Sequence, residues 1–101
     1  MSVQLHAATP HAPATIRLTG RFDFTQHDAF RRAYEAVPAG ATVVVDLAQT
    51  QYLDSSALGM LLLLRRHAGD APDNVRLVNP NADVLRVLTI ARFDHLFTLV
   101  A

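Results

Sequence analysis

Asp54-Ser55-Ser56 is the run of this sequence best equipped for chemistry: a carboxylate and two hydroxyls stand where a loop gives way to the apolar stretch Ala57-Leu58-Gly59-Met60. Backbone N–H groups in the first turn of a helix lack internal partners, and the helix dipole adds partial positive charge there. A phosphate carried on either hydroxyl is therefore well placed. Asp and Ser are also preferred helix caps, so one of the three is expected to close the helix end whatever else the turn does. A cap needs one such residue, and here there are three.

Other chemistries fit less well. A serine nucleophile for acyl transfer suits a strand-turn-helix setting, but the glycines of a nucleophile elbow are missing and no His is tied to the turn by sequence. Asp46 lies near the end of the run Thr42-Val43-Val44-Val45-Asp46-Leu47, where a phosphoaspartate receiver would place its acceptor. Such a site pairs its Asp with other acids and a lysine, and this chain has no lysine. Asp46 is read as a hydrogen-bonded strand-end residue. The five histidines, His6, His11, His27, His67 and His95, show no metal-ligand spacing and are read as surface groups. Gly20-Arg21-Phe22-Asp23-Phe24 is a glycine-led turn in which Phe22 is expected to anchor in the core while Asp23 caps or hydrogen-bonds locally. Phe24 is then an exposed aromatic beside a charge, which suits a partner surface.

Composition narrows the possibilities further. The chain has 101 residues, half of them hydrophobic, and a formal net charge of zero at pH 7. One globular domain over residues 1–101 is expected. Nucleic-acid and membrane-surface binding usually need a clustered basic excess, which nothing here supplies. Without Cys there is no disulfide framework or thiolate metal site, and without Lys there is no Schiff-base chemistry and no lysine-based phosphate loop. The apolar run Ala57 to Leu64 is far shorter than the roughly 20 residues of a membrane span. No signal peptide is read at Met1-Ser2-Val3-Gln4-Leu5-His6, so a cytoplasmic location is expected.

The elements that position these residues follow from periodicity. Val3 and Leu5, and again Ile16 and Leu18, alternate with polar neighbours as in strands with one buried face, and Ala7 to Pro13 is the hairpin loop between them. Thr25-Gln26-His27-Asp28 resembles a capping box, followed by Phe30, Ala33, Tyr34 and Val37 at helical spacing until Pro38 and Gly40. Val43 to Leu47 reads as a strand buried on both faces. It leads through Ala48 to Leu53 into a helix from about Ser55 to Ala68, with Leu63 and Leu64 filling extra faces, so packing on more than one side is expected. Val75-Arg76-Leu77-Val78 is a further strand, parallel to Val43–Leu47 through a right-handed crossover. Asn79-Pro80 is read as cap and first turn of a third helix carrying Val84, Val87, Leu88 and Ala91. Phe97-Thr98-Leu99-Val100 is expected as an edge strand.

Taken in order, Ile16-Arg17-Leu18-Thr19-Gly20-Arg21-Phe22-Asp23, Val43-Val44-Val45-Asp46-Leu47, Tyr52-Leu53-Asp54-Ser55-Ser56-Ala57-Leu58-Gly59 and Val75-Arg76-Leu77-Val78-Asn79 resemble the STAS domain of bacterial anti-sigma factor antagonists. The resemblance implies an α/β fold, with a mixed β-sheet of four to five strands packed with about three main α-helices. It implies a non-enzymatic partner-switching regulator of transcription. Ser55, directly after Asp54, is the implied phosphoacceptor, and Asp23 is implied to share its surface. Phe24, Asp54, Ser56 and Gly59 are expected to complete the partner-binding face. The implied partners are an anti-sigma factor, often a serine kinase of the histidine-kinase-like ATPase type, and a metal-dependent serine phosphatase. No cofactor or metal, direct nucleic-acid contact or membrane insertion is implied. Relatives commonly carry Gly where this chain has Ala57, which is expected to add a methyl group at the partner-facing turn. A STAS accessory subunit of a lipid-transporting ABC complex or signalling assembly is the alternative, and a small serine hydrolase a more remote one.

Overall fold

The computed structural model describes residues 2–100. Strands β1 (Ser2–His6) and β2 (Ala14–Phe22) form the antiparallel hairpin expected from their alternation, with Val3 opposite Leu18 and Leu5 opposite Ile16. Helix α1 (His27–Glu35), strands β3 (Val43–Asp46) and β4 (Thr50–Leu53), and helix α2 (Ser55–His67) follow. Strand β5 (Val75–Val78), helices α3 (Ala82–Ile90) and α4 (Phe93–Leu96), and strand β6 (Thr98–Val100) complete the chain. The sheet runs β1-β2-β3-β5-β6, with β4 joined to the far end of β2. All pairings after the first hairpin are parallel.

The mixed α/β architecture agrees with the sequence reading, and β6 is the edge strand expected of it. The sixth strand is β4, in the stretch read as a connector. Its burial along Thr50-Gln51-Tyr52-Leu53 does not alternate, so no period marks it. Long-range bonds hold it instead: Thr50 donates its hydroxyl to the Leu18 carbonyl at 2.8 Å, and Gly20 donates its N–H to Gln49 at 2.9 Å.

Register stacks the core. Ala14, Val43 and Val75 align across three strands, and Ile16, Val45 and Leu77 align two residues on. All six are buried, packed in one cluster with Phe30 of α1, Met60, Leu61 and Leu64 of α2, and Val84 and Leu88 of α3. The other face differs from expectation. Val44 and Asp46 are only half-buried, so β3 is fully covered on one face rather than two. On the open face Arg17 pairs with Asp46 across 3.5 Å. Asp46 also accepts the Ala48 N–H at 3.0 Å, as a strand-end residue should.

Helix α2 likewise buries one face, through Ala57, Met60, Leu61 and Leu64 at helical spacing. Leu62 and Leu63 are each 42% exposed, which corrects the expectation of packing on several sides. Two helix starts also move. No capping box forms at Thr25: Asp23 caps a 3-10 turn over Phe24–Gln26, its carboxylate accepting the Thr25 N–H, and α1 begins after Gln26, which makes no side-chain cap bond. Asn79 takes a left-handed φ of 60°, and its N–H extends the ladder to Val100 at 3.0 Å. That ladder delays α3 by two residues, so Asn81 is its cap, accepting the Val84 N–H at 2.8 Å. Among the histidines, His67 is not a free surface group: it is half-buried, with Nε2 2.6 Å from the Val37 carbonyl oxygen.

Candidate functional site

The site begins with a change of partner along β2. Up to Arg17 this strand pairs with β3, and from Gly20 it pairs with β4, with the register shifting between Gly20 and Arg21. Gly20 has a φ of 87°, a value glycine adopts without steric cost. The irregularity bends the strand as a β-bulge does. Arg21 then lies opposite Tyr52 and Phe22 opposite Leu53. Since the two strands are parallel, the next residues on each, Asp23 and Asp54, leave the same sheet edge on adjacent strands.

Buried Phe22 and Leu53 pin the two strand ends into the core. Above them, Arg21 sets its guanidinium 4.3 Å from the centre of the Tyr52 ring, with its Nε 4.0 Å from the Asp23 carboxylate. Phe24, 69% exposed, projects from the same turn. Sequence reading gave Arg21 and Tyr52 no role. Their pairing depends on β4, which carries no periodic signal, and only the Arg21 position within the Gly20–Asp23 turn pointed toward it.

At the start of α2, Asp54 is the cap. Its Oδ1 accepts the Ala57 N–H at 3.0 Å and the Ser56 hydroxyl at 2.6 Å. Ser56 is thereby half-buried and engaged, whereas Ser55 is exposed and its hydroxyl has no hydrogen-bond partner among the described residues. The two serines, told apart in the sequence only through the family resemblance, differ in this geometry. Ala57 is fully buried, so its methyl group faces the core. That corrects the expectation that it alters the partner-facing turn. Gly59, one turn beyond Ser55, is exposed, and a Cβ added there would meet nothing within 4 Å.

The Ser56 hydroxyl bond is the main reason the Asp54 carboxyl sits below the ordinary aspartate value of 3.8; slight burial opposes it, and the N–H groups of Ala57 and Ser56 assist. A depressed folded-state pKa stabilises the protein above the unfolded value, and that contribution is lost as pH falls through the folded one. Asp54→Ala should cost about 0.5–2 kcal/mol at pH 7, typical of a lost helix cap. Denaturant unfolding should show this difference shrinking below about pH 4. A gap that persists undiminished into strong acid would mean the carboxylate charge is not its source.

Chemically, the arrangement offers an accessible hydroxyl at a helix N-terminus, on a sheet edge that also carries two carboxylates, one guanidinium and two exposed aromatic rings. The Ser56 hydroxyl is bonded to a carboxylate, and among the described residues no imidazole is hydrogen-bonded to either serine.

This fold and this turn are those of a STAS domain, and the chain belongs to that family. The family model described as "Mlab, STAS domain" matches residues 5–101. A STAS-domain containing protein of Pseudomonas aeruginosa (strain UCBPP-PA14) is 50% identical over 86 residues, which are 84% of this chain and 85% of that protein. Among solved structures, the anti-sigma factor antagonist SpoIIAA in its unphosphorylated form superposes with a TM-score of 0.67 at 23% identity, covering 88% of this chain and 83% of that one. The Bacillus cell fate determinant SpoIIAA in the phosphorylated form gives a TM-score of 0.66 at 21% identity, covering 99% and 92%. At these identities the two structures establish a shared fold.

Proposed function

We propose that this protein is a cytoplasmic anti-sigma factor antagonist that works by partner switching, with Ser55 as its phosphoacceptor. The observation that carries this reading is the division of labour at the α2 start: Asp54 caps, Ser56 is tied to the cap, and Ser55 is left exposed and unengaged. With Ser55 unmodified, the face formed by Asp23, Phe24, Asp54, Ser56 and Gly59 binds an anti-sigma factor. A kinase, often the anti-sigma factor itself, phosphorylates Ser55 and releases the complex. A metal-dependent serine phosphatase restores it.

Affinity capture from native lysate with wild type, Ser55→Ala and Ser55→Asp, followed by reconstitution with the captured kinase, tests this. Ser55→Ala should stay bound and take up no phosphate. Phosphate mapped to another residue, with Ser55 bare in an active reaction, would overturn the assignment.

Gly59 supplies a second test. A mid-helix glycine is worth roughly 0.5–1 kcal/mol less than Ala, and Gly59 has open space around it. Gly59→Ala should therefore raise the midpoint of urea unfolding while weakening partner binding, since the methyl group stands on the docking face. Stronger stability with unchanged affinity would remove Gly59 from that face.

The second reading is an accessory subunit of a lipid-transporting ABC complex, in which Ser55 is not a switch. What supports it is that the family model's description, "Mlab, STAS domain", does not mention an anti-sigma factor antagonist. Co-purification with a transporter ATPase, unaffected by Ser55 substitution, would establish it.

A further inference from the structure

A cavity of about 250 Å³ lies between β4 and α3, lined by Gln51, Tyr52, Leu53, Asp83, Val84 and Val87. It follows from the topology. Strand β4 pairs with β2 alone, so among the described residues no strand covers its other edge. Helix α3 lies along that edge, tied by the Asn81 side-chain amide, which donates to the Thr50 carbonyl at 3.1 Å. The volume falls below the roughly 300–1,000 Å³ of small-molecule sites and suits one or two side chains of a peptide.

Leu53, Val84 and Val87 make the walls apolar, and Asp83 in the first turn of α3 is exposed with no ion-pair partner among the described residues. Arg21 stacks on Tyr52 at one side of the cavity, so the unpaired negative charge at its mouth is that of Asp83 on the α3 side. We propose that this cavity seats an aliphatic or aromatic anchor of a partner peptide segment, with an adjacent Arg or Lys facing Asp83. The proposal rests on the partner-binding reading above and extends that face from the Ser55 turn across Leu53 onto α3. A second cavity of about 250 Å³, between the first hairpin and the end of α1, is lined by Leu5, Ala7, Ala8, Ala14, Ala36, Val37 and Pro38, with no charge to select an occupant.

A random peptide library displayed on phage, selected against the wild-type protein, supplies the probe. Enriched peptides should carry an aliphatic or aromatic residue within two positions of Arg or Lys, and should shift the amide resonances of Leu53, Val84 and Val87. Val87 is half-buried at the cavity wall, and Val87→Glu, checked for folding by its amide spectrum, should weaken the selected peptides at least roughly tenfold. Asp83→Asn, at an exposed position that leaves the core untouched, should weaken them roughly two- to fivefold. Peptides that bind Val87→Glu and wild type equally, enriched sequences without a basic neighbour, or no enrichment would overturn the proposal. Partner capture that ignores Ser55, while peptides still require Val87, would sink the switch and leave the cavity assignment standing.

Discussion

Phosphorylation of Ser55 is expected to weaken binding to the anti-sigma factor on the order of a hundredfold. Phosphoserine carries about −1.5 to −2 charge at neutral pH, and here it joins the carboxylates of Asp54 and Asp23 at one sheet edge. An acidic partner group about 6 Å from one unit of that charge is repelled by roughly 3 kcal/mol at an effective dielectric near 20. About 1.4 kcal/mol is tenfold in affinity, so a single such contact is sufficient without refolding. Ser55→Asp adds one charge on a shorter side chain and should cost about tenfold, with Ser55→Ala near wild type. The modified monomer should remain folded, because the helix dipole favours an anion at this end by about 0.3–1 kcal/mol. Titration calorimetry of the captured partner against the three proteins and the phosphorylated form measures the series. Equal affinities for phosphorylated and bare protein would remove the switch.

Phe22→Ala should produce the largest loss of stability, about 3–5 kcal/mol. The ring is fully buried, with its centroid 5.0 Å from that of Phe30. Against a total of about 5–15 kcal/mol for a small domain, this removes a large fraction of the folding free energy. At about 4–8 °C per kcal/mol, the melting temperature should fall by at least roughly 12 °C. Phe22 also pairs with Leu53 at the strand ends that carry Asp23 and Asp54. The truncated protein should therefore lose partner affinity beyond what its folded fraction explains. A folded variant with wild-type affinity would show that the strand ends are held by other contacts.

The elements were legible wherever one face of a regular period met the core. β1, β2, β5 and the body of α2 appear where alternation or helical spacing puts them. What escaped was settled at longer range. β4 shows no alternation and exists because β2 turns away from β3 at Gly20 and needs a new partner. The start of α3 moved because Asn79 spends its N–H on β6 rather than on a helix. Leu63 and Leu64 read as filling further faces of α2, yet only Leu64 is buried, because α2 has core on one side alone.

By itself the sequence determined the turn, because an Asp followed by two Ser before an apolar helix caps that helix through contacts within three residues. It also marked Asp23 as a local cap, through a bond to a residue two positions on. The local bond to Asp54 engages Ser56, and the packing of α2 on the core adds the tertiary part: Ser56 is half-buried and Ser55 faces solvent. The arrival of the Asp23 turn at the same sheet edge as the α2 start, with Arg21 against Tyr52, was tertiary as well. It depends on the register of two parallel strands, pinned by the hydroxyl of Thr50 on the carbonyl of Leu18, 32 residues away. No local pattern encodes such a pairing, since its free energy comes from burying Phe22 and Leu53 in a core built by the whole chain.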